Sequence, residues 1–263
     1  MIPTDQAHLR AHVQAINDCN QRGGRMLSLV DLVEAHTVAL DLGAYLAAAM
    51  RKGASLLVGA RPGGAGKTAV MCALLNFLPD DAVIRPVANG AAFTPPQENA
   101  LPGRICYLAH EIGAGHYYAY VWGERARAFL RLRKRGHIVV SNLHADTLQE
   151  TYQQLCGEVG AEEEDVLRVD LKVYLSVQRT GPWSMQRWIS QVYESDGTAD
   201  RLLWAGNADG VFKRQADSIA VTRAAASAYA SFLRGLLESG TQRIEAVRRA
   251  VVEAGLSPAD LSD

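Results

Sequence analysis

A short glycine-rich stretch between two apolar segments carries the residue types from which an anion site can be built. Its sequence, GGAGKT at residues 63–68, matches the closing half of the pattern G-x-x-x-x-G-K-[ST]. Main-chain N–H groups at the start of a helix attract phosphate, Lys67 adds a positive charge, and the Thr68 hydroxyl can ligate magnesium. The stretch therefore predicts a phosphate-binding loop, formed by Gly63, Gly64, Ala65, Gly66, Lys67, Thr68 and Ala69.

One position departs from that pattern. Counted back from Gly66, the first glycine of the pattern is replaced by Arg61, and the nearest upstream glycine is Gly59. A positive φ at this position would disfavour arginine by roughly 1 kcal/mol, but an altered entry turn made by Pro62 and Gly63 could avoid the conflict. A plain glycine turn without a ligand is the alternative interpretation of the same residues.

Two further side chains have the chemistry and the position to act on a bound phosphate. Glu111 ends the apolar run RICYLAHE, and a carboxylate there can bind magnesium or orient an attacking water. Glu124, in the sequence VWGERAR, competes for the same role. His144 in NLHAD follows the next apolar run, where an imidazole could contact the terminal phosphate. The alternative for each is an ordinary solvated or hydrogen-bonded side chain.

Apolar segments typical of buried strands alternate with segments of helical periodicity through the first two thirds of the chain. Such alternation predicts an α/β fold with a mostly parallel sheet and helices on both faces. Ligands bind sheets of this kind at the carboxyl ends of the strands, so the glycine loop, Glu111 and His144 should meet in one crevice. The predicted strands are 55–60, 81–89, 104–111 and 137–146, and the predicted helices are 37–53, 67–78 and 147–160.

The remaining segments predict a β-hairpin and helical ends. Residues 116–136 are ambiguous because their aromatic first half suits a strand, but we expect one long helix that ends at Gly136. The runs DLKVYLSVQ and SMQRWISQVYE flank the turn RTGPW and predict two antiparallel strands. We expect three regions: a short helical N-terminal segment at 1–36, the main domain at 37–217 and a helical C-terminal region at 218–263.

Composition narrows the class of protein. A chain of 263 residues that is 48% hydrophobic and 21% charged is an ordinary globular protein, and no apolar run is long enough to cross a bilayer. The N-terminus has no apolar signal stretch, so we expect a cytoplasmic location. A net charge of -1 gives no general attraction to nucleic acid, although the basic cluster at 125–137 leaves that partner open. No zinc or disulfide spacing is present in the four cysteines, Cys19, Cys72, Cys106 and Cys156.

These motifs together resemble the type II/IV secretion ATPase family, the ring-forming P-loop motors of secretion systems and pili. The resemblance covers about residues 37–197. GGAGKTAVMCALLNFLPDD resembles the family's Walker A loop and helix, and RICYLAHE resembles its Walker B strand. RGHIVVSNLHAD resembles its Gly-His pair and histidine box, and KVYLSVQ followed by MQRWISQVYESDG resembles its closing hairpin. The combination of the Gly-His pair with LHAD is what points to this family.

The resemblance implies a RecA-like P-loop NTPase fold, ATP and Mg²⁺ as cofactors, and magnesium-dependent ATP hydrolysis. Lys67, Glu111 and His144 would be catalytic, and Thr68 and Glu111 would hold the metal. It also implies a homo-oligomer, with a hexamer as one form, that belongs to secretion or pilus machinery. Candidates for an arginine that completes a neighbouring subunit's site are Arg125, Arg127, Arg131 and Arg133.

Two departures from the family pattern leave a second function open. The segment PVANGAAF stands where the family has an acidic box, and it contains no carboxylate. The segment before the loop is also shorter than the family's N-terminal domain, so we expect most of that domain to be absent. The alternative to an ATPase is therefore a nucleotide-gated binding or regulatory module with little or no turnover.

Overall fold

The fold is given by a computed structural model, which describes residues 6–20, 23–87, 104–115, 117–182 and 184–256. Within these ranges the strands are β1 (Leu56–Gly59), β2 (Val83–Pro86), β3 (Ile105–Ile112), β4 (Tyr120–Val121), β5 (Ile138–Leu143), β6 (Leu171–Arg179), β7 (Met185–Ser195), β8 (Asp200–Gly206) and β9 (Phe212–Arg214). The α-helices are α1 (Gln6–Asn17), α2 (Leu29–Glu34), α3 (Leu40–Arg51), α4 (Lys67–Leu75), α5 (Glu124–Arg131), α6 (Leu148–Tyr152), α7 (Glu163–Leu167), α8 (Arg223–Glu238) and α9 (Ile244–Glu253).

The described strands form one sheet with a parallel half and an antiparallel half. Their order is β2-β3-β5-β1-β6-β7-β8-β9, and β4 pairs with β3 outside this path. The pairings from β2 across to β6 are parallel, and those from β6 to β9 are antiparallel. The predicted α/β fold with a mostly parallel sheet is therefore confirmed, and so is the hairpin of β6 and β7. Strands β8 and β9 extend that hairpin beyond what the sequence predicted.

Strand β1 is buried on both faces of the sheet. Leu56 and Val58 belong to the larger apolar core, which includes residues of α1 to α4, α8 and α9. Leu57 points to the other face and belongs to a smaller core with residues of α5 and α7. A strand covered by helices on both faces has no polar side to show, which explains the continuous apolar run LLV.

The segment 116–136 was expected to be one long helix, and this prediction is wrong. Tyr120–Val121 instead pair with the end of β3 as strand β4, and helix α5 begins only at Glu124. The two elements are separated by Gly123, whose φ of 56° lies outside the helical region and suits glycine. The second half is helical as predicted, and it ends at Gly136 after a 3₁₀ turn.

The helix predicted at 147–160 is split into two parts. Thr147 accepts a hydrogen bond from the Glu150 N–H at 3.2 Å and starts α6. The chain then widens into a π-helical turn at Gln153–Glu158. This turn brings the buried Gln154 amide to 2.8 Å from the Ile112 carbonyl, at the carboxyl end of β3.

Some sequence predictions fall partly outside the described residues. Strand β2 covers part of the run predicted at 81–89, and residues 88–103 lie outside the described ranges. Most of the segment PVANGAAF lies in the same gap. The four cysteines are free thiols, as predicted. Among the described helices none has the length and apolar character needed to cross a membrane.

Candidate functional site

The loop between β1 and α4 contains two glycines in the left-handed conformation. Gly64 has a φ of 82° and Gly66 a φ of 99°, values that residues with a side chain rarely adopt. The Val70 N–H donates to the Gly66 carbonyl at 3.0 Å, as in the first turn of a helix. The N–H groups that precede it, at the start of α4, have no carbonyl in their own helix to bind. The loop therefore presents main-chain donors, reinforced by the helix dipole, to an anion.

Arg61 enters the loop without backbone strain. Among the described residues, His36 and Ala119 are the non-glycine residues with positive φ, and Arg61 is not one of them. The Arg61 N–H donates to Asp146 Oδ1 at 2.7 Å, and its guanidinium lies 2.9 Å from Glu150 Oε1. An arginine thus replaces the first glycine of the pattern because the entry turn needs no left-handed residue there.

Lys67 and Glu111 face each other beside the loop. The Lys67 ammonium donates to the Ala60 carbonyl at 2.7 Å and lies 3.4 Å from Glu111 Oε2. The Lys67 side chain is 12% exposed and that of Glu111 is 16% exposed, so water screens this ion pair only in part. An ammonium has three hydrogens to donate, so Lys67 has capacity for an oxygen acceptor beyond these two.

Asn142 lies next to Thr68 and was not identified from the sequence. Its Nδ2 donates to Thr68 Oγ1 at 3.2 Å and to the His110 carbonyl at 2.7 Å. The residue is fully buried, and its Oδ1 has no hydrogen-bond partner among the described residues. The signal that could have identified it is an amide inside the apolar strand IVVSNL, where an unpaired polar group is costly.

His110 and Tyr120 form the wall of the site next to Glu111. Their rings stack with centroids 5.7 Å apart and planes 17° apart. Burial lowers the pKa of His110, and the neighbouring Glu111 carboxylate opposes that change. Burial also raises the pKa of Tyr120, with a further contribution from Glu111. Both rings are therefore neutral at pH 7, and they leave the charge of the site to lysine, arginine and carboxylate groups.

The structure places the two remaining candidates differently. His144 directly follows β5, is exposed, and lines the same cavity as Lys67 and Glu111. Glu124 begins α5, its side chain is 71% exposed, and it pairs with Arg127 and Arg131. The hydrogen bond from Arg127 lowers the pKa of Glu124. Glu124 is not among the residues that line the cavity, so Glu111 is the carboxylate next to the loop.

A cavity of about 510 Å³ connects these groups. One side consists of the loop residues 61–69 together with His110, Glu111, Tyr120 and His144. Another part of its wall consists of residues 19–20, 23 and 25–27, which follow α1 and which the sequence did not connect with the site. All seven residues predicted to form the phosphate-binding loop line this one cavity.

The oxygen groups of the site suit a magnesium ion that is shared with a phosphate. No group of three or more His, Cys, Asp or Glu side chains that could hold a metal occurs in the described part of the chain. Thr68 and Glu111 both line the cavity, and each supplies oxygen. Magnesium usually takes one or two protein ligands and completes its shell with waters and substrate phosphates. The residues present therefore fit magnesium that arrives with a nucleotide.

Comparison with known proteins shows a distant likeness in structure. No protein-family model matches the chain, and no curated protein matches it. The fold is similar to that of the VirB11 ATPase from the Brucella suis type IV secretion system, solved in complex with sulphate. The identity is 22%, the match covers 63% of this chain and 54% of that one, and the TM-score is 0.40. The chain spans about half the length of that protein, and the match decides neither its family nor its activity.

Proposed function

We propose that the chain binds ATP with magnesium at loop residues 63–69 and hydrolyses it. The observation that carries this proposal is the position of Lys67, 3.4 Å from Glu111 and beside the main-chain donors of the start of α4. Gly64 and Gly66 support it, because their left-handed conformations let the backbone approach phosphate oxygens closely. A triphosphate would take the place of Glu111 at the Lys67 ammonium.

The proposed roles follow from the positions of the side chains. Lys67 would neutralise charge on the β- and γ-phosphate oxygens, and the Thr68 hydroxyl would ligate magnesium. Glu111, once separated from Lys67, would hold a water on magnesium or orient the attacking water. His144 would contact the terminal phosphate from the exposed side of the cavity. Magnesium, when bound, would draw charge from the phosphate oxygens during transfer.

We also propose that the protein acts as a homo-oligomer in which an adjacent copy completes the site. The charge that develops on a transferring phosphate is usually met by a second cation besides the lysine of the loop. Arg25 and Arg61 line the cavity, but their guanidinium groups pair with Asp31 and Glu150. A hexamer and a place in secretion or pilus machinery follow from the sequence resemblance and are part of the same proposal.

A nucleotide-gated binding module with little turnover is the second candidate. The observation that favours it concerns three arginines that the sequence offered as donors to a neighbouring subunit's site, because each contacts an acceptor of its own chain. Arg127 donates to the Val159 carbonyl at 2.8 Å, Arg131 lies 3.7 Å from Asp165, and Arg133 lies 2.8 Å from Asp170. Because these arginines have partners in their own chain, using one of them in another subunit would require breaking a contact.

Steady-state ATP turnover by the purified chain decides between the two candidates. The Glu111→Gln variant keeps the shape of the side chain and removes its charge, so we expect turnover to fall on the order of 100-fold. Glu124→Gln is the matched control, because that exposed carboxylate lies outside the cavity, and it should keep the wild-type rate. Equal residual rates in the wild type and the Glu111→Gln variant would exclude hydrolysis and favour the binding module.

A further inference from the structure

We propose that Asn142 is a positioning residue that orients the Thr68 hydroxyl toward magnesium, and that it thereby sets how strongly magnesium supports nucleotide binding. The inference rests on the function proposed above. It starts from the two hydrogen bonds of the Asn142 amide, to Thr68 Oγ1 and to the His110 carbonyl.

The neighbours of Asn142 fix which way its amide points. The His110 carbonyl can only accept a hydrogen bond, so the group 2.7 Å away from it must be the NH₂ of the amide. If the amide were reversed, Asn142 Oδ1 and the His110 carbonyl oxygen would lie at that distance, and neither could donate a hydrogen bond. Because one hydrogen of the NH₂ is directed at His110, the other is available for Thr68 Oγ1, 3.2 Å away.

This arrangement restricts the Thr68 hydroxyl. A threonine oxygen has two lone pairs and one hydrogen, and Asn142 occupies one lone pair on the buried side. The second lone pair is then left for a cation on the cavity side, where Thr68 is part of the lining. Without the amide, the hydroxyl could rotate toward other acceptors and lose this orientation.

The same amide joins three elements that carry the proposed catalytic groups. Asn142 lies on β5, two residues before His144, and Thr68 lies in the first turn of α4 next to Lys67. His110 lies on β3 and directly precedes Glu111. A single side chain therefore fixes the spacing of the loop helix, the strand of Glu111 and the strand that leads to His144.

The burial of Asn142 indicates a role in the site rather than in stability. The residue has no exposed surface, and its Oδ1 has no hydrogen-bond partner among the described residues. A buried acceptor without a partner destabilises a fold, so an apolar side chain would suit this strand better. Its neighbour Ser141 is equally buried but donates to the Asn142 carbonyl at 3.0 Å, and no contact joins it to Thr68 among the described residues.

Calorimetric titration of ATP, with magnesium and with EDTA, tests the inference. The Asn142→Leu variant removes the donor at similar volume, and we expect it to weaken ATP binding in magnesium roughly tenfold, as loss of an outer-shell partner does at metal sites. In EDTA its ATP affinity should stay within about twofold of wild type. Ser141→Ala is the control on the same strand, and it should change neither value.

A second variant keeps the test valid if Asn142→Leu does not fold. Asn142→Ser keeps a small polar side chain on the strand, but its single hydroxyl hydrogen cannot replace both donations of the amide. This variant should also bind ATP more weakly in magnesium and with nearly wild-type affinity in EDTA. In a Thr68→Val background, either Asn142 substitution should weaken ATP binding in magnesium further by less than about twofold. Both changes remove the same interaction, so their effects should not add.

The outcomes separate this inference from the proposed function. Equal weakening in magnesium and in EDTA, or full additivity with Thr68→Val, would show that Asn142 has only a structural role. Wild-type magnesium dependence in both Asn142 variants, with binding still abolished by Lys67→Ala, would overturn the inference and leave the nucleotide site standing. Absence of ATP binding by the wild-type chain in either buffer would overturn both.

Discussion

The Lys67 ammonium lies 3.4 Å from the Glu111 carboxylate and 2.7 Å from the Ala60 carbonyl. One basic group of the loop is thus held by two oxygens of its own chain, at the carboxyl ends of β1 and β3. On the proposed function, a triphosphate that enters the cavity would compete with Glu111 for that ammonium. The proposed chemistry depends on this exchange, because it releases the carboxylate at the moment when phosphate arrives.

Removing the charge of Glu111 should strengthen the binding of metal-free ATP. The carboxylate repels phosphate and competes for Lys67, so we expect Glu111→Gln to bind ATP about fivefold more tightly in EDTA, equivalent to about 1 kcal/mol. Calorimetry on wild type, Glu111→Gln and the control Glu124→Gln measures this. Weaker binding by Glu111→Gln under these conditions would mean that the two groups do not compete.

Arg187 should support the loop from the hairpin. Its Nε donates to the Gly64 carbonyl at 2.9 Å, and a Cβ added to Gly66 would lie 3.5 Å from its Cδ. We expect Arg187→Gln to weaken ATP affinity by about fivefold, because the loop loses one hydrogen bond of about 1 kcal/mol. Arg179→Gln, on the exposed end of the same hairpin, is the control and should bind like wild type. The same affinity in both variants would show that Arg187 does not order the loop.

Gly63 and Gly66 of the loop should respond differently to alanine. Gly66 has a φ of 99°, whereas Gly63 has no positive φ and no atom within 4 Å of an added Cβ. Gly66→Ala should therefore lower the free energy of unfolding by about 1–2 kcal/mol, and Gly63→Ala should leave it nearly unchanged. Urea unfolding of the two variants measures the difference. A Gly66→Ala variant as stable as Gly63→Ala would contradict the loop conformation.

The stability of the fold should depend on pH through His12. The pKa of His12 is lowered to about 3, mainly by burial and to a smaller extent by the positive charge of the nearby Arg248. The pKa of a histidine in the unfolded chain is near 6.5. The unfolded chain therefore binds a proton below pH 6.5 that the folded chain does not. The stabilisation that comes from neutral His12 is complete above pH 6.5 and decreases toward pH 3 by about 1.4 kcal/mol per unit.

The His12→Gln variant isolates this contribution because it cannot take up a proton. Its stability relative to wild type should improve as the pH falls from about 7 to about 5, which urea unfolding at both values measures. The comparison cancels the other groups that titrate in this range. Parallel loss of stability in the two proteins would show that the pKa of His12 is not displaced.

Local pattern was enough to predict strands β1, β2, β3 and β5, the hairpin of β6 and β7 and the position of the loop. The buried strand before Gly63, the apolar helix after it and the hairpin each follow from residues close in sequence. The break at Gly123 was missed because helical spacing in α5 was extended backwards into the aromatic strand β4. The position of Glu111 and His144 at the carboxyl ends of predicted parallel strands indicated that they would lie near the loop, and both line its cavity.

The parts of the site that escaped prediction depend on contacts between distant residues. Asn142 and Thr68 are separated by 74 residues, and Arg187 and Gly64 by 123. No local spacing shows that an amide on one strand will meet a hydroxyl on a helix. Residues 19–20 and 25–27 line the cavity although they lie far from the loop in sequence, so no local spacing connected them with it either.

The most direct test of the central claim is calorimetric titration of ATP and magnesium into the wild-type chain and the Lys67→Ala variant. The Lys67 side chain is partly buried but contributes little to either core. The free energy of unfolding of Lys67→Ala should therefore lie within about 1 kcal/mol of the wild-type value. Lys213→Ala, an exposed change on β9, serves as the control and should bind like wild type. We expect ATP binding in the wild type and none in Lys67→Ala. Equal ATP affinity in the two proteins would contradict the assignment of a phosphate-binding loop at residues 63–69.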